Sequence, residues 1–195
     1  MFIYLHGFNS AYDPQSEKVQ ILSKLGNVIG ITYNTYASFE DIFKEIQSKL
    51  PDITEDTVFV GTSLGGFWSA TMAKFYRCPS VIINPCYDPV NMLQKYIGYN
   101  TNYLTQDTSF FASHTVETYN GHTLSGEDKS FEFLPLVLID MGDEVIDSWK
   151  TREVLAGYPM VHYANGNHRF DHMDDAIVEI QRYMNHCSYV ENIDV

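Results

Sequence analysis

Six short apolar runs, separated by longer segments with helical spacing, constrain the fold of this chain more than any other feature. Several of the runs are apolar throughout rather than alternating, as expected of strands covered on both faces. Strands that alternate with helices predict a parallel sheet in an α/β fold. The predicted strands are residues 2–5, 27–31, 58–60, 80–83, 136–139 and 160–163.

The segments between the runs place apolar residues three or four positions apart, which is the spacing of a helix with one buried face. Ile42, Ile46 and Leu50 form one such stripe, and Ser38 stands where it can cap that helix. The final segment, SYVENIDV at 188–195, is expected to be a frayed tail. The predicted helices are residues 14–25, 38–50, 64–75, 148–155 and 174–185.

Residues 86–130, between the fourth and fifth predicted strands, are too long for a simple crossover. They are rich in Tyr, Asn and Thr, with a short helix expected near 89–96. Connections of this length usually serve a function. A lid over a site and a solvated insertion are both compatible with the segment. A chain of 195 residues is otherwise expected to form one domain, residues 1–195.

The charge balance excludes some classes of partner. With 25 acidic and 12 basic residues, the net charge of −13 argues against binding to nucleic acid or to an anionic membrane surface. No run approaches the roughly 18 apolar residues of a membrane span. The opening MFIYLHGFNS lacks the basic segment and long apolar run of a signal peptide, and the three cysteines form no motif. The expected compartment is therefore the cytoplasm, with reduced thiols.

The stretch VFVGTSLGGF, residues 58–67, contains the pattern Gly-x-Ser-x-Gly around Ser63. An apolar strand leads directly into Ser63, and a helix-compatible segment follows it. A turn this tight strains the backbone, and Gly61 and Gly65 remove the Cβ atoms that would collide where strand and helix converge. Such an elbow exposes Oγ at a helix N-terminus, which favours negative charge. Ser63 is therefore predicted to be a nucleophile; the alternative is a serine that only caps the helix.

A nucleophilic serine that attacks acyl groups needs two N–H donors for the oxyanion. The backbone N–H of Leu64, the next residue, is one candidate, and a loop after a neighbouring strand should supply the other. The stretch YLHGFNS is such a loop, and the backbone N–H of Phe8 is the predicted second donor. His6, in the same loop, is expected to be structural.

The acid is expected in the turn after the predicted strand 136–139, because a carboxylate there can reach an imidazole on the adjacent loop. Asp143 is the predicted acid. Asp140 is the competing choice, but it stands at the strand end, where the pleat sets its direction. Glu144 and Asp147 are expected to face solvent or to cap the next helix.

Among seven histidines, His168 is the predicted base, because it follows the last predicted strand in a glycine-containing turn and precedes the final helix. The chain order is then Ser63, Asp143, His168, as in hydrolases with a nucleophile elbow. His162 falls inside a strand, and His186 belongs to the C-terminal end of the chain. His114 and His122, in the long segment, could contact substrate.

His172 stands four residues after His168, a spacing that superficially resembles a metal-binding pair. No Cys or His cluster supports a metal site, so no metal is expected.

The motifs YLHGFNS, VGTSLGG, INP, GDEVID and GNH together resemble the small bacterial esterases of the YqiA type, within the α/β-hydrolase superfamily. The resemblance spans nearly the whole chain and is weakest in residues 86–130 and the tail. It implies a minimal α/β-hydrolase fold of about six parallel strands, without the two strands that usually precede the oxyanion loop. It also implies a triad of Ser63, Asp143 and His168, with esterase activity on short acyl esters or thioesters and no cofactor.

The expected function is a serine hydrolase that cleaves small-molecule carboxylic esters of short acyl chains through an acyl-enzyme. A thioesterase or an amidase or peptidase could use the same triad. A non-catalytic binding module on the same fold is the alternative from another class.

Overall fold

The computed structural model describes residues 1–191, with the side chains of residues 1–188. The strands are β1 (Phe2–Leu5), β2 (Val28–Ile31), β3 (Val58–Thr62), β4 (Ser80–Ile83), β5 (Gly98–Thr101), β6 (Thr108–Phe111), β7 (Leu136–Asp140) and β8 (Met160–Tyr163). Six of them form one parallel sheet in the order β2-β1-β3-β4-β7-β8, and β5 and β6 form a separate antiparallel hairpin.

Helices cover both faces of the sheet. Each strand contributes side chains to both helical layers, because successive strand residues point to opposite sides. The helices are α1 (Glu17–Leu22), α2 (Phe39–Lys49), α3 (Leu64–Tyr76), α4 (Pro89–Leu93), α5 (Ser113–Glu117), α6 (Ser148–Val154) and α7 (Met173–Glu191), with a 3₁₀ turn at Gln94–Tyr96. In β1, Ile3 and Leu5 belong to one apolar cluster with α2 and α3, whereas Phe2 and Tyr4 belong to a second cluster with α1 and α7.

The α/β class and all six predicted sheet strands are confirmed, and the largest differences lie at both ends of the first helix, which spans Glu17–Leu22 instead of 14–25, and at the end of the last helix. The first helix begins only at Glu17, because Asp13 holds the preceding residues in a turn that accepts the backbone N–H groups of Gln15 and Ser16. The final helix runs on to Glu191, so the expected fraying is wrong for residues 188–191, and residues 192–195 lie outside the described part of the chain. The extension continues the buried stripe of Ala176, Ile180, Tyr183 and Cys187.

The long segment 86–130 contains α4, the 3₁₀ turn, the β5–β6 hairpin and α5. It is not solvated throughout, because Phe111, Val116 and Tyr119 enter the main apolar cluster. The hairpin is bound to the loop after β1: Asn9 Nδ2 donates to Thr101 O at 2.7 Å, and Tyr103 N donates to Asn9 O at 3.1 Å. That the segment acts as a lid stays a prediction.

Within residues 1–191, no helix combines the length and the apolar character needed to cross a membrane.

Candidate active site

Ser63 stands at the junction of β3 and α3 with φ 59° and ψ −123°, a conformation that is unfavourable for any residue with a side chain. Two glycines make the junction sterically feasible. A Cβ on Gly65 would lie 2.1 Å from Leu5 O, and a Cβ on Gly61 would lie 2.1 Å from Gly65 O. Strand and helix therefore converge too closely for any other residue at either position, as the glycine pattern predicted.

The Ser63 side chain is only 7% exposed, and its Oγ lies 4.0 Å from Met92 Sδ. In the part of the chain that the structure describes, no hydrogen bond joins Ser63 to His168. The structure therefore shows Ser63 in contact with a thioether of the long segment rather than with the predicted base.

Asp143 and His168 form the carboxylate–imidazole pair that the sequence predicted. Asp143 Oδ2 lies 2.7 Å from His168 Nδ1, and Asp143 Oδ1 accepts the backbone N–H groups of Val145 at 2.8 Å and Ile146 at 2.9 Å. These bonds fix the carboxylate, whose side chain is 2% exposed. With Nδ1–H donated to Asp143, the neutral imidazole leaves Nε2 able to accept a proton.

Glu144 and Asp147 also contact the elements around this pair. Glu144 is exposed, as expected, but its Oε2 accepts the backbone N–H of His168 at 2.9 Å. Asp147 caps α6, as predicted, by accepting the backbone N–H of Lys150 at 3.0 Å.

A second carboxylate–imidazole pair lies beside the first. Asp140, at the end of β7, is fully buried, and its Oδ1 lies 2.6 Å from His172 Nδ1. Its Oδ2 accepts the backbone N–H groups of Asn167 at 3.3 Å and Asp171 at 2.8 Å. The His172 ring stacks on Tyr163 at 5.0 Å between centroids. Asp140 is thus fully engaged in holding the loop that carries His168.

Asn84, which the sequence analysis did not identify, connects several of these groups. Its Oδ1 accepts the backbone N–H of Asp140 at 2.8 Å, and its Nδ2 donates to the carbonyls of Asn167 at 3.0 Å and His168 at 3.3 Å. The preceding carbonyl, Ile83 O, accepts the Ser63 backbone N–H at 3.0 Å. Adjacent residues at the end of β4 therefore anchor the nucleophile candidate and the loop of the base candidate at the same sheet edge. The signal for Asn84 that the sequence offered was an asparagine directly before a proline at the end of a predicted strand.

The loop after β1 passes beside Ser63, since a Cβ on Gly7 would lie 3.5 Å from Ser63 Cβ. Phe8 and Leu64 are buried, and among residues 1–191 neither backbone N–H donates to a protein acceptor. That these two N–H groups bind an oxyanion stays a prediction.

His6 is structural, as expected. Its Nδ1 lies 2.8 Å from Gly7 O, its Nε2 accepts the Tyr33 backbone N–H at 3.2 Å, and its ring stacks on Tyr33. Burial lowers the pKa of His6 to about 4, so the imidazole is neutral at pH 7.

The other histidines lie in separate environments. His162 lies in a strand, as predicted, and is exposed on the edge strand β8, and His114 is exposed on α5. His122 stacks face to face on Phe39 at 3.7 Å, and His186 is exposed on α7. Substrate contacts of His114 and His122 stay a prediction. Among the side chains that the structure describes, no group of three or more His, Cys, Asp or Glu residues could hold a metal ion.

Comparisons with known proteins extend these observations. A UPF0227 protein from Vibrio vulnificus strain CMCP6 is 28% identical over 163 residues, which span 81% of this chain and 83% of that protein. Two solved structures have similar folds at low identity. Est1E from Butyrivibrio proteoclasticus gives a TM-score of 0.70 at 14% identity, over 96% of this chain and 88% of that chain. A monoacylglycerol lipase from Paleococcus ferrophilus gives 0.70 at 13% identity, over 95% and 94%.

The predicted minimal α/β-hydrolase fold is confirmed by the six-stranded parallel sheet and by these structural neighbours. The family model described as "Uncharacterised protein family (UPF0227)" matches residues 1–185. The chain therefore belongs to the UPF0227 family.

Proposed function

We propose that this protein is a serine hydrolase that cleaves carboxylic esters of short acyl chains through an acyl-enzyme. The observation that carries the proposal is the strained Ser63 elbow at the same sheet edge as the Asp143–His168 pair. The name of one structural neighbour, a monoacylglycerol lipase, is consistent with ester chemistry on this fold.

In the first half of the reaction, Ser63 Oγ bonds to the ester carbonyl carbon while His168 Nε2 takes the hydroxyl proton. Asp143 holds the imidazole in the required tautomer and stabilises the imidazolium. The backbone N–H groups of Phe8 and Leu64 bind the oxyanion, a contribution of about 3 kcal/mol per donor. Collapse of the intermediate breaks the ester bond, and the leaving alcohol takes the proton from His168.

In the second half, water attacks the acyl-enzyme, and His168 Nε2 accepts a proton from that water. The same two N–H groups bind the second oxyanion, and the proton returns to Ser63 Oγ as the carboxylic acid leaves. The proposal requires the Ser63 hydroxyl to exchange its contact with Met92 Sδ for a hydrogen bond to His168 Nε2.

Thioesters and amides are the alternative substrates of the same machinery. The net charge of −13 favours uncharged esters over highly anionic acyl-CoA, because the field of the protein repels anions. We expect no nucleic acid or membrane partner for the same reason. The cytoplasmic location stays a prediction from the sequence.

The test combines labelling and turnover. A fluorophosphonate probe should label the wild type, and Ser63→Ala should abolish both labelling and hydrolysis of p-nitrophenyl acetate at pH 7 to 8. Hydrolysis of acyl-CoA and of acyl anilides, measured in parallel, distinguishes an esterase from a thioesterase and from an amidase. Absence of both labelling and turnover in the folded wild type would favour a non-catalytic binding module, and labelling that survives Ser63→Ala would identify a different nucleophile.

A further inference from the structure

Met92 contacts the atom that the proposed function makes the nucleophile. Its Sδ lies 4.0 Å from Ser63 Oγ, and its side chain is 7% exposed, so it covers the hydroxyl from within the protein. Met92 belongs to α4, the first helix of the long segment 86–130. This segment is where the chain departs most from the esterases that it resembles in sequence.

The backbone of α4 is anchored to the Ser63 elbow. Cys86 N donates to Ser63 O at 3.0 Å, three residues before the helix begins. Asp88 caps the helix by accepting the backbone N–H of Asn91 at 3.1 Å, and Pro89 occupies its first turn. Leu93 is fully buried next to Met92. The backbone of Met92 is therefore held in place, and its side chain supplies the freedom to move.

The reaction geometry restricts where the acyl chain can lie. The carbonyl carbon must come within about 3 to 3.5 Å of Ser63 Oγ. Its oxygen is directed to the N–H groups of Phe8 and Leu64, and the leaving oxygen to His168 Nε2. The acyl substituent then enters the remaining space around Oγ, and Met92 is the side chain whose Sδ contacts that oxygen.

We propose that Met92 limits the length of the acyl chain, which makes it a specificity-determining residue; this inference rests on the proposed ester hydrolysis. An unbranched thioether has enough torsional freedom to shift for a short acyl group. Its volume nevertheless stays in the space next to Oγ because α4 is anchored. A short chain fits beside the displaced thioether, whereas a long chain competes with it for the same volume.

The test compares p-nitrophenyl acetate with p-nitrophenyl octanoate in Met92→Ala, Met92→Leu and the wild type. Met92→Ala should raise the octanoate-to-acetate ratio of kcat/KM at least about tenfold, because one methylene of misfit already changes discrimination about tenfold or more. Met92→Leu, of similar volume, should stay within about threefold of the wild type. Val90→Ala, which removes apolar volume from the same helix, is the matched control and should leave the ratio unchanged.

Met92→Val, a milder truncation that should move the ratio in the same direction, serves if Met92→Ala does not fold. The inference is overturned if the wild type cleaves acetate and the truncated variants keep its ratio, or if Val90→Ala shifts the ratio as much. Labelling rates with ethyl and octyl fluorophosphonates give a second readout of the same preference. A wild type that is neither labelled nor active defeats the proposed function itself, and this inference with it.

Discussion

Asp140 Oδ1 lies 2.6 Å from His172 Nδ1, so a second carboxylate–imidazole pair stands beside that of Asp143 and His168. The two acids are three residues apart and the two histidines four, so sequence spacing alone does not distinguish the pairs. The other hydrogen bonds of the two acids distinguish the pairs. Asp140 is fully buried and also binds two backbone N–H groups of the loop that carries His168. This pair holds the loop, whereas Asp143 binds the backbone N–H groups of Val145 and Ile146 in its own turn.

Asp140→Asn should destabilise the fold. The amide can accept at only one atom, so backbone N–H groups of the loop, or His172 Nδ1, lose their acceptor in a buried site. A buried donor left without its acceptor costs about 1–3 kcal/mol. Urea unfolding monitored by circular dichroism should show a loss of that order. Asp171→Asn, an exposed change in the same loop, is the control and should alter the free energy of unfolding by less than about 0.5 kcal/mol. Equal losses would argue against a special role for Asp140.

Asp143→Asn should lower kcat about 10⁴-fold if the proposed mechanism holds. Asparagine Oδ1 can still accept the backbone N–H groups of Val145 and Ile146, which turns its NH₂ toward His168 Nδ1. Nδ1 must then accept, so Nε2 carries the proton and cannot act as a base. Hydrolysis of p-nitrophenyl acetate measures the effect.

Glu144→Gln is the control for Asp143→Asn, because glutamine can still accept the His168 backbone N–H. It should change kcat less than about tenfold, well below the loss from a wrong tautomer. If Asp140→Asn abolishes turnover in folded protein while Asp143→Asn does not, the acid is Asp140.

The sequence predicted the sheet because the strands between two helical layers are apolar along their whole length, as β1 and β4 are. Its strand ends were less accurate. β3 continues to Thr62 and β7 to Asp140, beyond the apolar run, because polar side chains at a strand end still allow the backbone to pair. The start of the first helix was predicted too early, because the side chain of Asp13 competes for a backbone N–H group in the preceding turn.

The site was predictable where local geometry dictates it, as at Ser63, whose flanking glycines reflect the close approach of strand and helix. It was not predictable where contacts join distant segments. Asn84 reaches the His168 loop across 84 positions, and Met92 reaches Ser63 across 29. Those distances depend on packing between elements, which periodicity does not encode.

Ser63→Gly should be at least as stable as Ser63→Ala, in contrast to ordinary positions, where Ala-to-Gly replacement costs about 0.5–1 kcal/mol. Alanine keeps the Cβ in the unfavourable conformation of φ 59° and ψ −123°. Glycine relieves strain of about 1–3 kcal/mol, which offsets its entropy cost. Urea unfolding of both variants measures the difference. A glycine variant about 1 kcal/mol less stable than the alanine variant would show that the elbow is not strained.

The free energy of unfolding should fall in acid, because His6 binds a proton more readily in the unfolded chain than in the folded protein. Burial, the largest cause, lowers the pKa of His6 from 6.5 to about 4, so the folded protein holds the imidazole neutral while the unfolded chain binds a proton near pH 6.5. The neutral ring donates from Nδ1 to Gly7 O and accepts at Nε2 from the Tyr33 backbone N–H. Its stabilisation is thus fully present above pH 6.5 and is lost as the pH falls from 6.5 toward 4.

Comparison of the wild type with His6→Gln isolates the contribution of His6 to the pH dependence of stability, because all other titrating groups are common to both proteins. The wild type should lose about 2 kcal/mol more than the variant between pH 7 and pH 5, as the linkage relation gives for these two pKa values. Urea unfolding at the two pH values measures both losses. Since glutamine does not titrate, its own cost lowers the variant equally at each pH and cancels in the comparison. Equal losses in the two proteins would mean that His6 binds its proton as readily in the folded state as in the unfolded chain.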